Sequence, residues 1–194
     1  TVAPGTYTLR LTSGDKVAES ECKVLPDPRL GLAAKDYEQQ QVMLSQVEDA
    51  VRDIHESVNR LRTVKTQLKS RMDLLKQMEG LDELVEKGEQ VQKSISEWEK
   101  NLIQPDSKTF QDVINFKNQL NSELLIIKNV LDAHDPRPTS GAKIRLAETL
   151  QSWVELKADM ERIIIEEVGG FNSMYAEKNL PILIIPKKEK TIRP

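Results

Sequence analysis

Gly5-Thr6-Tyr7-Thr8-Leu9-Arg10-Leu11-Thr12, a turn at Ser13-Gly14-Asp15-Lys16, and a second run closing on Val24-Leu25-Pro26-Asp27-Pro28-Arg29 read together as a β-hairpin. Tyr7, Leu9 and Leu11 alternate with Thr6, Thr8, Arg10 and Thr12, the period of two that puts one face on a core. Ser13-Gly14-Asp15 supplies the turn. A two-stranded hairpin is marginal alone. Its apolar face therefore calls for the rest of a β-sandwich, for a neighbouring molecule or for cover from the helices that follow. Thr1 is no natural start, so the expectation is the C-terminal portion of a longer protein, cut inside a β domain, with the hairpin spanning residues 1–25.

Pro26 and Pro28 push Leu25 and Asp27 toward extended backbone, making residues 26–32 a stiff connector. From Ala33 the period changes. Leu44, Val47, Val51, Ile54, Val58, Leu61, Val64, Leu68, Met72, Leu75 and Met78 recur every three or four residues, the stripe of one amphipathic helix. Neither Pro nor Gly interrupts it before Gly80, which would give a helix of roughly 65–70 Å. Gly80 offers a left-handed cap. Leu81, Leu84, Val91, Ile95, Trp98 and Leu102 form a second stripe that stops before Pro105, and the short connection makes the two helices antiparallel neighbours.

Thr109 and Asp112 resemble a capping box that opens a third stripe of Phe110, Val113, Leu120, Leu124, Ile127 and Leu131, closed by Asp135-Pro136-Arg137-Pro138. A fourth helix from Gly141 or Ala142 carries Leu146, Leu150, Trp153, Met160, Ile163, Ile164 and Val168, and is expected to stop near Gly169-Gly170. The predicted fold is mainly α: an antiparallel four-helix bundle over residues 33–170 with one very long first helix, preceded by the hairpin. An extended apolar tail over residues 171–194 holds Phe171, Met174 and Tyr175, then Asn179 to Pro186. It is expected to dock on the hairpin or along the bundle.

Composition agrees with a bundle. Of 194 residues, 38% are hydrophobic, 30% charged and 4% aromatic, the balance of long helices with one apolar stripe and a wide solvated face. A net charge of -3 from 28 basic and 31 acidic residues lacks the concentrated basic surface that a nucleic acid requires. The longest apolar run, Ile182 to Ile185, is far too short to cross a bilayer. The closing Lys187, Lys188, Glu189, Lys190 and Arg193 read as a solvated end. Cys22 is alone and in phase with Ala18 and Val24, so it reads as a small buried hydrophobe and not as a reactive thiol.

No residue pattern assembles a catalytic, cofactor-binding or metal site. His55 and His134 belong to no zinc-ligand spacing and read as solvated, His134 in the last turn of helix three where the dipole favours a cation. The carboxylates Glu48, Asp49, Asp82, Glu83, Glu86, Asp159, Glu161, Glu166 and Glu167 are interleaved with Lys and Arg, as on solvated helix faces with i to i+4 support, as at Glu83-Lys87 and at Glu155-Asp159 beside Lys157 and Arg162. Ser140-Gly141-Ala142-Lys143 lacks the strand and glycine spacing of a phosphate loop and reads as a helix start. Trp98 and Trp153 lie on core stripes and read as buried anchors.

The order "PGTYTLRLTSGDK", "KVLPDPRL", a long helix with "VNRLRTVKTQL" and the ending "NLPILIIP" resembles the C-terminal region of bacterial sortilin-type proteins. Those proteins carry Asp-box (WD40/YVTN-like) β-propeller repeats and are often labelled glycosyl-hydrolase-like. The resemblance implies a parent with an N-terminal propeller, an immunoglobulin-like module of which the hairpin is the remnant, and export to the extracellular space or periplasm. The Asp-box motif is absent from this chain, so no site residue carries over. The reading is a non-catalytic helical cap, spacer or protein-interaction surface, not an enzyme, with its own upstream propeller or a second copy as partner and no small-molecule ligand or cofactor. Two alternatives stand beside it: a bundle that opens to bind lipid or an apolar ligand, and an accessory domain completing a hydrolase site on the propeller.

Overall fold

The computed structural model describes residues 2–106, 109, 112 and 115–180. They form strands β1 (Gly5–Ser13) and β2 (Lys16–Val24), then helices α1 (Ala34–Leu75), α2 (Asp82–Leu102), α3 (Leu120–Leu131) and α4 (Ser140–Arg162). A π-helical segment (Ile163–Val168) joins α4 to α5 (Gly169–Glu177). The mainly helical fold, the very long first helix and the N-terminal hairpin are as the sequence pattern predicts. The chain divides into two compact units, Thr1–Val51 with Glu123–Leu150, and Arg52–Ser122 with Gln151–Pro194.

In the first unit β1 and β2 pair antiparallel from Gly5 opposite Val24 to Ser13 opposite Lys16. The loop is Gly14-Asp15, and Gly14 has φ +58°, the left-handed value a two-residue hairpin turn assigns to glycine. The helical part closes on Met43, Leu44, Val47 and Ala50 of α1, Leu124, Ile127 and Leu131 of α3, and Ala142 and Leu146 of α4, all buried. Side chains finish the helix ends. The Asp36 carboxylate accepts the Ala33 N–H at the start of α1 (3.1 Å), and Thr139 Oγ1 accepts the Ala142 N–H at the start of α4 (3.1 Å). Buried Gln40 of α1 donates through Nε2 to the carbonyls of Leu131 (2.7 Å) and Ala133 (3.2 Å), satisfying the open end of α3.

The second unit is built on Ile54, Val58, Leu61, Leu68, Met72 and Leu75 of α1, the whole predicted stripe of α2, and Trp153, Met160, Ile163 and Phe171. Gly80 has φ +78°, the left-handed cap its position predicts. Both tryptophans are buried anchors with their indole N–H satisfied, Trp98 on the Leu156 carbonyl (2.7 Å) and Trp153 on Asp53 Oδ2 (3.0 Å).

Three expectations need correction. Gly169-Gly170 does not stop the last helix: Gly169 sits at φ -58° and ψ -45°, and the helix runs on to Glu177. Glycine there costs about 1 kcal/mol each relative to alanine, but the continuation buries Phe171. The stop falls later, at Asn179, whose N–H donates to the Ala176 carbonyl at 3.0 Å and whose φ of +51° turns the backbone out of the helix. Residues 171–177 are therefore helix and not extended tail.

The second correction concerns the start of α3. Half of the capping box forms, with the Thr109 N–H on Asp112 Oδ2 at 2.8 Å. The turn ends after Asn115 and Phe116 donate to the Asp112 carbonyl, and α3 begins only at Leu120. Asn115 and Asn118 suit turns better than helix interior, which gives the physical reason. The expected stripe members Phe110 and Val113, like the tail residues after Leu180, lie outside the described residues. A third correction follows for His134, which lies beyond α3 and not in its last turn.

Among the described residues no helix covers the outer part of the hairpin. Leu9 is 58% and Leu11 71% exposed, and Cys22 is only half-buried.

Candidate functional site

The register of the hairpin sorts its side chains onto two faces. Tyr7 lies opposite Cys22, Leu9 opposite Ser20 and Leu11 opposite Ala18, so these residues share one face. Thr8 opposite Glu21 and Arg10 opposite Glu19 share the other, where Arg10 Nε donates to Glu19 Oε1 at 2.6 Å. One face is thus apolar and open, the other charged and internally paired. Among the described residues both strands are also edges, each paired with only one neighbour. Tyr7 Oη is fixed by donating to the Ala3 carbonyl at 2.7 Å, which holds the ring beside Gly5.

A second feature of the same unit is a tripeptide that occurs twice, Asp27-Pro28-Arg29 and Asp135-Pro136-Arg137. Each forms the same fork. The Arg N–H and Nε donate to Asp Oδ1 (2.9 and 2.9 Å in the first, 3.0 and 2.9 Å in the second), and Nη2 donates to Oδ2 (2.6 and 2.5 Å). The proline between fixes the backbone turn that allows this. His134 then sets Nε2 3.3 Å from Asp27 Oδ2, joining the two turns. The Arg29 side chain holds the Asp27 carboxyl well below the usual carboxylate range, and the Arg137 side chain lowers Asp135 to about 2. A carboxylate already neutralised by a guanidinium polarises an imidazole weakly, so the His134–Asp27 pair is a clamp in character and not an acid–base dyad.

Two of the carboxylates singled out above pair across helices, and two share Arg162 locally along the chain. Glu48 takes Lys128 at 2.8 Å in the first unit, and Glu161 takes Arg60 at 3.7 Å in the second. Glu167 takes Arg162 at 3.1 Å and Asp159 takes it at 3.8 Å. His55 Nε2 lies 3.0 Å from Asn121 Oδ1 on the surface. Among the described residues no group of three or more His, Cys, Asp or Glu is placed to hold a metal ion. No described helix is long and apolar enough to cross a membrane.

The second unit carries an open groove of about 770 Å³ between the C-terminal half of α1 and α5. Its lining includes Val64, Leu68 and Leu74 on one side and Val168, Phe171 and Tyr175 on the other. Arg71 also lines it, with Nη1 3.5 Å from Tyr175 Oη and the guanidinium 5.7 Å from the ring centre. The π segment delivers Val168 to this wall: the Gly169 N–H reaches the Ile164 carbonyl five residues back, the wider turn that three consecutive isoleucines favour by crowding an α-helix.

Sequence reasoning missed the groove, because Phe171 and Tyr175 were assigned to an extended tail. It also missed Gly88, whose phase on the α2 stripe between Leu84 and Val91 was the available signal. A Cβ at Gly88 would lie 2.5 Å from Met72 Sδ and 3.1 Å from Phe171 Cε2, so any larger residue requires these side chains to shift. Comparison with protein-family models, with curated proteins and with solved structures gives no match for this chain.

Proposed function

We propose that this chain is a non-catalytic helical module that presents its hairpin to a β-rich partner, in the manner of the C-terminal region of the exported propeller proteins it resembles. The observation that carries this is the uncovered face of Tyr7, Leu9 and Leu11 on two unshared strands. A two-stranded sheet gains stability from a third strand or a second apolar layer. A β module upstream in the same polypeptide is the partner of choice, because the hairpin would complete its sheet, while the helices act as cap or spacer. Self-association through the same face is the competing use.

Hydrogen exchange tests this. Amides of residues 5–24 should exchange fast in the isolated chain and gain strong protection when the chain is joined to its upstream β module. Equal exchange in both settings overturns the proposal, as does robust turnover of a glycoside or peptide substrate that point variants of this chain abolish.

A further inference from the structure

The groove between α1 and α5 is a different surface from the hairpin, and it carries charge of one sign only. Among the described residues that line it, Arg71 is the single ionised side chain and no carboxylate is present. The chain as a whole is acidic, with 31 Asp and Glu against 28 Lys and Arg, so this lining departs from its average surface. Position matters as much as sign. Arg60 of α1 meets Glu161 at 3.7 Å and Arg71 meets Tyr175 at 3.5 Å, so α1 and the helical run from α4 into α5 advance in the same direction. Val64 and Leu68 lie between those bridges on the first element, Val168 and Phe171 on the second, and all four line the groove. Leu68 and Phe171 are buried. An apolar stretch thus leads up to one half-buried guanidinium, which stands 5.7 Å from the ring centre of Tyr175.

We propose that this groove binds a medium-chain alkyl carboxylate, its head on Arg71 and its chain along Val64, Leu68, Val168 and Phe171. A guanidinium meets a carboxylate through two N–H donors at once, and beside apolar side chains that pair is stronger than it is in open water. The alkyl chain gains free energy by leaving water for the same side chains. The volume of about 770 Å³ falls in the range of sites that take small organic molecules. Other occupants match less well. A neutral alkane leaves the guanidinium against apolar matter without an acceptor. A cation is repelled, and a nucleic acid or an anionic membrane surface calls for several basic residues where this lining has one.

Calorimetric titration of the full chain with monomeric dodecanoate and with dodecyltrimethylammonium, a cation of the same chain length, tests this. Saturable binding of dodecanoate is expected, at least about tenfold tighter than that of the cation. Affinity should fall about fourfold for each methylene removed toward decanoate and octanoate. Arg71→Met keeps an apolar stem without the charge and should bring the two amphiphiles to similar affinity. No saturable binding of dodecanoate, equal affinity for the two probes, or an unchanged preference in a folded Arg71→Met protein overturns the proposal. So does binding to phosphatidylglycerol vesicles without binding of monomeric dodecanoate, which would make the groove a membrane contact. If the variant fails to fold, the two probes on the unaltered chain still decide.

Discussion

Arg62 of α1 donates through Nε and Nη2 to Glu99 Oε1 of α2 at 2.8 and 2.5 Å, and Glu99 is only 8% exposed. The acid is held inside the second unit while its partner keeps half its side chain in water. A buried carboxylate without its donor pays the desolvation penalty uncompensated. Arg62→Ala should therefore destabilise the chain by about 1–3 kcal/mol, whereas Arg62→Met combined with Glu99→Leu should come close to neutral. Urea unfolding of the three proteins checks this, and equal losses in single and double variants would count against it.

Gly88→Ala should be destabilising even though alanine is the better helix former by about 1 kcal/mol. The new Cβ would overlap Met72 Sδ and press on Met72 Cγ and Phe171 Cε2, both 3.1 Å away, and overpacking of this kind costs about 1–3 kcal/mol. Met72→Ala alone removes a buried side chain and costs about 2–5 kcal/mol. The double variant should lose clearly less than the sum, because the methyl of one fills the space left by the other. A thermal-melt double-mutant cycle measures the coupling.

Gly88 also marks where sequence reading succeeds and where it stops. The stripes of α1 and α2 were legible because every third or fourth residue is apolar and the caps at Gly80 and Pro105 are strong local signals. The path of the chain after Val168 was not. A Gly-Gly pair is a stop signal only while nothing beyond it needs burying, and here Phe171 enters the notch that Gly88 leaves. The hairpin was legible for the same local reason as the helices, its period of two and its Gly14 turn. Whether its apolar face would be covered depended on which helical faces were already occupied, and no spacing along the chain records that.

The two Asp-Pro-Arg turns make the first unit acid-sensitive. Asp135 is lowered to about 2, and Asp27 further, by the hydrogen bonds from Arg137 and Arg29. A carboxyl whose folded-state pKa lies below its unfolded value contributes stability that is present above about pH 4 and lost as pH falls through the folded pKa. Melting temperature should thus drop between pH 4 and pH 2. Asp27→Asn with Asp135→Asn keeps the turns' acceptor oxygens but removes the titration, so the double variant should show a flatter profile over that range. The Asp135 side chain is 45% exposed and that of Asp27 18%, so salt should shrink the effect most at Asp135.

Asp53 Oδ2 accepts from both Trp153 Nε1 (3.0 Å) and Lys157 Nζ (2.6 Å). The indole is buried and the lysine is half-exposed, so the tryptophan bond matters more to stability. Asp53→Ala leaves a buried N–H without its acceptor and should cost about 1–3 kcal/mol, with a shift in tryptophan emission. Asp53→Asn keeps an oxygen in place and should cost less. Lys157→Ala should stay within about 0.5 kcal/mol, as exposed ion pairs do. Denaturant unfolding followed by fluorescence separates the three.

Leu9→Lys with Leu11→Lys tests the hairpin as a surface and not as a structural element. Both side chains are largely solvent-facing, so their replacement should change the melting temperature of the isolated chain little, within the about 0.5 kcal/mol typical of surface sites. The same pair should abolish any protection of residues 5–24 by an upstream β module, because two ammonium groups would have to be buried in the sheet interface. Arg10→Ala, on the opposite and charged face, serves as the control and should leave that protection intact. If both faces respond alike, the partner does not read the apolar side, and the hairpin joins its sheet through the strand edges instead.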